Sequence, residues 1–129
     1  MTLKAFISTN DTAVCRNYLR VAQTALLNVN EFPISALMVD DANSADGYRQ
    51  ALAQNLIASA DVFLGIYGTA YGTVVSGETH SIAEGEYQYA RSLGLMCLLF
   101  VEEEARRNAD ERQQAFFHYI EQHHVLNLF

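Results

Sequence analysis

Short apolar segments alternate with segments of helical periodicity along this sequence. The most apolar of them are DVFLGIY at Asp61–Tyr67 and LMCLLFV at Leu95–Val101. Strands that are apolar on both faces are typical of parallel sheets, because helices cover such sheets from both sides. Parallel neighbours also need a crossover connection, which is usually a helix. The pattern therefore predicts an α/β fold.

The alternation extends over the whole chain and predicts five strands and four helices in strict succession. The strands are predicted at Lys4–Ser8, Ile34–Val39, Asp61–Tyr67, Leu95–Val101 and Val125–Phe129, and the helices at Thr12–Asn28, Tyr48–Ala60, Ile82–Leu93 and Glu111–His124. Gly94 is a favoured residue just past the end of a helix. We expect a doubly wound, five-stranded parallel sheet of the flavodoxin-like or TIR-like type, with strand order 2-1-3-4-5 and helices on both faces.

The length of 129 residues allows one hydrophobic core. We therefore expect residues 1–129 to form a single domain. No helix is predicted after the last strand, although an apolar sheet face is normally covered. Our hypothesis is that the chain is the N-terminal part of a longer protein; the alternative is that this fold has no closing helix.

The chain is acidic, with a formal net charge of -7 at pH 7. Its single lysine is Lys4 and its seven arginines are scattered, whereas proteins that bind nucleic acids or anionic membranes present clustered cations. We therefore expect neither partner. No apolar run reaches the roughly 20 residues of a membrane helix, and no secretory signal is visible, which predicts a cytoplasmic protein. The cysteines and histidines form no metal motif, so we expect no metal and no cofactor.

A ligand site is expected at one edge of the sheet. In open α/β sheets, ligands bind beyond the carboxyl ends of the strands, where the strand order reverses. For the predicted order, the residues at that point are Ser8-Thr9-Asn10-Asp11 and Gly65–Gly72. Both segments are rich in small or hydroxyl residues, which let a backbone approach a ligand. The helix predicted from Ile82 begins nearby and would offer free N–H groups to an anion or a polar substrate.

Two carboxylates near this helix start have different predicted roles. Ser81 and Glu84 fit the S-x-x-E capping box, in which the serine caps the helix and the glutamate reaches back to the backbone. Glu84 is therefore interpreted as structural. Glu86 shares a helical stripe, predicted to face the sheet, with Ile82, Tyr89, Ala90 and Leu93. A carboxylate there either satisfies local backbone donors or serves chemistry.

Three further side chains near the helix start have two interpretations each. Tyr67 and Tyr71 either line the cleft or pack in the core, as aromatic residues usually do. His80 is either a proton carrier or a solvated loop histidine, and the second is the commoner case. The sequence leaves these alternatives open.

These residues resemble the motifs of a TIR-like family, Domain of Unknown Function 4062. Phe6-Ile7-Ser8-Thr9 is similar to the first strand of that family, and Asp61 to the aspartate that opens its third strand. The later matches are Gly65 or Gly68, Tyr71-Gly72, Ser81, Glu84, Glu86, Tyr87, Ala90, Gly94 and Leu95–Val101. The resemblance covers roughly residues 3–102. Ala83 stands where the family has threonine, and the first-strand motif lacks its second serine.

The resemblance implies a nucleotide-related function. The family is similar to TIR domains, some of which cleave the nicotinamide–ribose bond of NAD, and to nucleoside deoxyribosyltransferases, whose nucleophile is a glutamate. The transferase pattern E-x-x-x-A-x-x-x-G falls on Glu86, Ala90 and Gly94. By this analogy Glu86 is the catalytic residue. The substrate-binding residues would be Ser8, Thr9, Asn10, Asp11, Gly68, Tyr71, Gly72, Ser81 and Glu84.

Three functions follow from this resemblance. The first is cleavage of the N-glycosidic bond of NAD or a related nucleotide, by an NAD glycohydrolase or a nucleoside deoxyribosyltransferase-like hydrolase. Glu86 would then engage the ribose or stabilise an oxocarbenium-like centre. Backbone N–H groups of Ser8–Asp11 and of the helix start would hold phosphates. Tyr71 would line the base pocket. The second is a non-catalytic assembly module of a bacterial defence or signalling system. The third is a nucleotide sensor. The resemblance also implies self-association or a signalling partner.

Overall fold

Five parallel strands form one sheet in the computed structural model of the protein, which describes residues 3–9, 34–37, 46–74 and 77–129. The strands are β1 (Leu3–Thr9), β2 (Ile34–Leu37), β3 (Val62–Tyr67), β4 (Met96–Val101) and β5 (Leu126–Leu128). Their order across the sheet is β2-β1-β3-β4-β5, which is the order expected from the sequence. The strand order therefore reverses between β1 and β3.

The described helices are α1 (Asp46–Ser59), α2 (Ile82–Ser92), α3 (Glu103–Asn108) and α4 (Glu111–Glu121). The short helix α3 lies in a segment for which the sequence indicates a charged loop or the start of a helix. Acidic residues in its first turn and basic residues in its last turn complement the helix dipole. The helix predicted at Thr12–Asn28 lies outside the described residues, so the presence of helices on both faces of the sheet stays a prediction.

The core lies between one face of the sheet and the described helices. Alternate residues of a strand point to the same side of the sheet. Phe6, Phe63 and Tyr67 lie on the face that the helices cover and are almost fully buried. The helices add to the same cluster Ala53 and Ile57 from α1, Ala83, Tyr87 and Ala90 from α2, Ala105 from α3, and Phe116, Phe117 and Ile120 from α4. Phe116 is edge-on to Tyr67 and Tyr87, with ring centroids 5.1 and 5.9 Å apart. The described helices therefore pack on a single face.

Local sequence signals fix both ends of α2. At its start, Ser81 Oγ accepts the Glu84 N–H at 3.1 Å, as predicted for the N-cap. At its end, Gly94 has a φ of 74° and donates its N–H to the Arg91 carbonyl, while the Leu95 N–H reaches the Ala90 carbonyl. These two bonds form the Schellman pattern, which favours glycine in the left-handed position. The predicted helix stop at Gly94 is therefore confirmed.

Asp61 joins β1 to β3 at the amino end of the sheet. Its Oδ2 accepts the Lys4 N–H at 2.8 Å, and its own N–H donates to the Lys4 carbonyl at 2.7 Å. Ligands of such sheets bind at the opposite, carboxyl ends of the strands. The aspartate of the family motif therefore has a structural role here.

Acidification is expected to destabilise the contact between α2 and the residues that follow α4. His124 Nδ1 lies 2.8 Å from the Tyr87 hydroxyl, and burial, followed by His123 and Arg91, lowers the pKa of His124 below its usual 6.5. The unfolded chain therefore binds more protons here, so this contribution to stability is present above the unfolded pKa and is lost as pH falls through the lowered one. We expect the urea midpoint to fall between about pH 7 and pH 5, and to fall less in His124→Gln. An identical pH dependence in the variant would contradict this assignment.

Candidate functional site

Glu86 extends from α2 to the carboxyl end of β1. Its Oε1 accepts the Ser8 hydroxyl at 2.8 Å. Ser8 is almost fully buried and lies next to the point where the strand order reverses, which is the usual place for ligands in open α/β sheets. The structure therefore brings Ser8 and Glu86 together, although they are 78 positions apart in the sequence.

Tyr67 lies beside this pair, at the end of β3. Its hydroxyl is 3.5 Å from Ser8 Oγ, which is long for a hydrogen bond between hydroxyl groups. Burial raises the pKa of Tyr67 well above its usual range, the contact with Ser8 opposes this shift, and the charge of Glu86 adds to it. Tyr67 therefore stays a neutral phenol at neutral pH. The Tyr67 hydroxyl thus donates towards Ser8 Oγ, and the Ser8 hydroxyl donates to Glu86.

Gly65 leaves room for the ring of Tyr67. A Cβ atom at position 65 would lie 2.7 Å from Tyr67 Cε2 and 2.8 Å from its hydroxyl oxygen, well inside normal packing distance. The Tyr67 side chain is fully buried, so its ring cannot move aside without disturbing the core. We expect Gly65→Ala to lower the free energy of unfolding by about 2 kcal/mol, measured by urea denaturation.

The matched control is Gly85→Ala. Gly85 is exposed on α2, and nothing lies within 4 Å of a Cβ atom built there. Alanine is the better helix former by about 1 kcal/mol, so this variant should be as stable as the wild type or more stable. Equal stability changes in the two variants would contradict the steric argument.

Glu84 is the centre of a second, buried hydrogen-bond network. Its Oε1 accepts the Tyr71 hydroxyl at 2.8 Å, and its Oε2 accepts Gln88 Nε2 at 3.1 Å and contacts His80 Nδ1 at 2.7 Å. The Tyr71 hydroxyl in turn accepts the Ser81 N–H at 3.0 Å. The capping-box prediction is therefore half right, because the hydroxyl of Tyr71 takes the place of the Glu84 carboxylate at Ser81.

Tyr71 also joins its loop to the start of α4. Its N–H donates to Asp110 Oδ2 at 3.3 Å, and Asp110 is the N-cap of α4. The Arg112 guanidinium lies 4.4 Å from the centre of the Tyr71 ring and donates to the Thr79 carbonyl at 2.7 Å, a cation–π arrangement. Burial raises the pKa of Tyr71; the Ser81 N–H opposes the shift and Glu84 reinforces it. Tyr71 thus stays protonated and donates within its network.

Three N–H groups at the start of α2 are already bonded within the chain. The Ser81 N–H donates to Tyr71, the Ile82 N–H to the Thr73 carbonyl at 2.9 Å, and the Glu84 N–H to Ser81. The expectation that this helix start offers free N–H groups to an anion is therefore wrong for these three groups. The reason is that the preceding loop folds back over the helix and satisfies them.

A cavity of about 360 Å³ lies between α1 and α2. Its described lining consists of Gln50, Ala53, Gln54 and Ile57 on α1, Glu78, His80 and Ser81 before α2, and Ile82, Gly85, Glu86, Gln88 and Tyr89 on α2. The volume is in the range of small-molecule sites. Glu86 therefore contacts Ser8 and lines a space large enough for a ligand.

The predicted substrate-binding residues divide between this cavity and the loop network. Ser8 contacts Glu86, and Ser81 lines the cavity. Thr9 follows Ser8 in β1 and so points to the opposite face of the sheet; its buried Oγ1 has no hydrogen-bond partner among the residues that the structure describes. Asn10 and Asp11 lie outside the described residues.

Four other residues predicted to bind substrate lie in the loop after β3 or hold that loop in place. The Gly68 carbonyl accepts Gln113 Nε2 at 2.8 Å, and Gly72 has a φ of 91°, a conformation that favours glycine. Tyr71 and Glu84 hold the loop against α2. None of these four is among the described residues that line the cavity.

The stripe of α2 that faces the sheet differs from the predicted stripe. Ala83, Tyr87 and Ala90 are fully buried, whereas Leu93 is 46% exposed. The predicted stripe is therefore confirmed at Ala90 and wrong at Leu93, while Glu86 reaches the sheet through its bond to Ser8. Glu86 lies at the edge of the buried stripe that Ala83, Tyr87 and Ala90 form. Glu86 is consequently only partly buried.

Neither the α1 wall of the cavity nor the pairing of His80 with Glu84 was predicted from the sequence. Gln50 and Gln54 carry no specific signal, because glutamine is common on solvated helix faces. The spacing of four residues between His80 and Glu84, and again between Glu84 and Gln88, is a local signal that could have indicated the contacts.

These features define a class of protein: a parallel α/β domain in which a carboxylate on a helix reaches the point where the strand order reverses. A family model described as Domain of unknown function (DUF4062) matches residues 4–129. The chain belongs to this family, as its motifs indicated.

The fold is similar to that of a 2-desoxiribosyltransferase from Leishmania mexicana. The two structures have a TM-score of 0.56 and 14% sequence identity, and the match covers 95% of this chain and 99% of that chain. No curated protein sequence matches significantly. Among the described helices, none has the length and apolar character needed to cross a membrane. No three histidine, cysteine, aspartate or glutamate side chains of the described residues converge into a metal site.

Proposed function

We propose that this domain cleaves the N-glycosidic bond of a nucleoside or nucleotide, with Glu86 as its catalytic carboxylate. Such cleavage develops an oxocarbenium-like cation on the sugar, and a fixed negative charge beside that cation lowers the barrier. NAD and deoxyribonucleosides are both substrates of this type. The domain would act as an NAD glycohydrolase or as a deoxyribosyltransferase-like hydrolase.

The position of the Glu86 carboxylate is the observation that supports this proposal most directly. The carboxylate is 2.8 Å from Ser8, which lies at the usual ligand position of such sheets, and it also lines a cavity of about 360 Å³ between α1 and α2. The bond from Ser8 fixes one oxygen before a substrate arrives, which is the preorganisation that electrostatic catalysis requires. The fold shared with a 2-desoxiribosyltransferase supports the proposal by analogy.

Turnover by the wild-type protein is the first test. Concentrated protein would be incubated with NAD, nicotinamide riboside and deoxyribonucleosides, with and without a crowding agent, because the family resemblance implies self-association. Chromatography should then detect free base from at least one of these substrates. A folded sample that releases no base from any of them, in either condition, would contradict the proposal.

A non-catalytic assembly module is the second candidate function. Two apolar side chains of β4, Met96 and Leu98, are 64% and 43% exposed, on the sheet face opposite the described helices. Exposed apolar side chains of this kind often mark contacts with other proteins. On this reading Glu86→Gln would change nothing, Glu86→Ala would reduce stability, and no substrate would be cleaved. Saturable binding of a nucleotide in calorimetry, without product, would instead indicate a sensor.

A further inference from the structure

His80 and Glu84 form a carboxylate–histidine pair beside Glu86. The His80 Nδ1 lies 2.7 Å from Glu84 Oε2, and the His80 and Glu84 side chains are 48% and 10% exposed. Tyr71 and Gln88 donate to the same carboxylate, which fixes its position. An imidazole held through Nδ1 in this way directs its other nitrogen, Nε2, away from the carboxylate.

His80 of this pair shares a cavity with the proposed catalytic residue. His80 and Glu86 both line the space between α1 and α2. A histidine that is oriented by a carboxylate and borders the space next to a second carboxylate has the arrangement of a general acid or base. The alternative is a solvated loop histidine that only supports the start of α2.

We propose that His80 donates a proton to the departing base, and that the substrate is therefore a nucleoside whose base is neutral; this inference rests on the function proposed above. When the glycosidic bond breaks, an uncharged base leaves as an anion, which is a poor leaving group unless it is protonated. The cationic nicotinamide group leaves as a neutral molecule and needs no acid. A built-in proton donor is useful only for the first kind of substrate.

The surroundings of the cavity agree with a substrate that carries no phosphate there. Two of the described lining residues, Glu78 and Glu86, are acidic, and no described lining residue is a lysine or an arginine. The N–H groups of Ser81, Ile82 and Glu84, which could have held an anion, are bonded within the chain. A phosphate in this space would meet two like charges and no lysine or arginine among the described lining residues, so that only amide and imidazole donors could compensate.

The reaction balances with water as the only co-substrate. The bond between C1′ and the base breaks, its electron pair passes to the base, and the Nε2 proton of His80 completes the departing base. Glu86 faces the cationic sugar carbon. Water then adds to C1′ and releases a proton to the neutral imidazole, which restores the protonated His80. The products are the free base and the free sugar.

The test compares two leaving groups in His80→Gln and in the wild type. The substrates are 2′-deoxyadenosine, with a neutral base, and nicotinamide riboside, with a cationic one. We expect the variant to lose about 100-fold in turnover of deoxyadenosine and less than about threefold with nicotinamide riboside. Free imidazole in the buffer should restore part of the lost turnover, since His80 is half exposed. His118→Gln makes the same substitution at an exposed histidine of α4 that is not among the described lining residues; it is the matched control and should show neither effect.

Each other outcome overturns this inference. An equal loss with both substrates would give His80 a structural or positioning role, which thermal unfolding of the variant would show. Unchanged turnover of deoxyadenosine would give it no role. Wild-type protein that cleaves nicotinamide riboside but not deoxyadenosine would refute the proton donor and leave the glycosidase function standing. If the wild type cleaves neither, the proton donor is refuted, and the glycosidase function fails with it only when NAD and the other deoxyribonucleosides are also left intact.

Discussion

Replacement of Glu86 by glutamine is expected to reduce base release about 1,000-fold in a domain that stays folded. The glutamine side chain has nearly the same shape, and its amide oxygen can still accept the Ser8 hydroxyl that lies 2.8 Å from the carboxylate. Only the negative charge is lost, and that charge is what would stabilise the cationic sugar. Because the charge matters most in the transition state, the loss should fall on kcat rather than on KM.

Glu78→Gln is the matched control for this prediction. Glu78 lines the same cavity but is exposed, so its charge is screened by solvent. We expect its turnover to stay within about threefold of the wild type, since exposed charges interact weakly. Circular dichroism and the urea midpoint would establish that both variants fold. Glu86→Gln protein with wild-type turnover would refute the assignment of Glu86.

The largest loss of stability is expected for Glu84→Ala, at about 3 kcal/mol. This change removes the acceptor for the Tyr71 hydroxyl and for Gln88 Nε2, and the partner of His80. Glu84 is only 8% exposed, so water replaces these bonds poorly. Buried donors without a partner cost more than the bonds themselves contribute. Urea denaturation measures the difference in the free energy of unfolding.

Glu84→Gln separates the hydrogen bonds from the charge. Its amide oxygen keeps one acceptor, and a hydroxyl such as that of Tyr71 can accept as well as donate. We expect this variant to lose about 1 kcal/mol. If Glu84→Ala loses no more than that, the network around Glu84 contributes little, and the loop before α2 must be held by other contacts.

The strands and most helix ends could be predicted because their signals are local. The apolar runs of β3 and β4 identify buried parallel strands, and Gly94 ends α2 through a bond pattern spanning six residues. The short helix α3 was only indicated as a charged segment, because its short sequence carries one buried residue, Ala105. Periodicity cannot be read from so few positions.

The site could be predicted in part. The position of Glu86 followed from the helix period, the strand order and the family motif, and its contact with Ser8 agrees with that. The role of Tyr71 could not be predicted, because its contacts with Asp110 and Arg112 join segments about 40 residues apart and depend on how α4 packs. The exact position of the buried stripe on α2 could not be predicted, because it includes Ala83 and Ala90, whose small side chains are only weakly apolar.

The hydroxyl of Tyr71, placed between Ser81 and Glu84, has a consequence for the thermodynamics of binding. This oxygen, the Thr73 carbonyl and the His80 imidazole together join the loop that ends at His80 to α2. The rim of the cavity is therefore assembled during folding, and a ligand need not restrict its motion on arrival. Less conformational entropy is lost in the encounter, so even a small nucleoside with few contacts could bind with useful affinity.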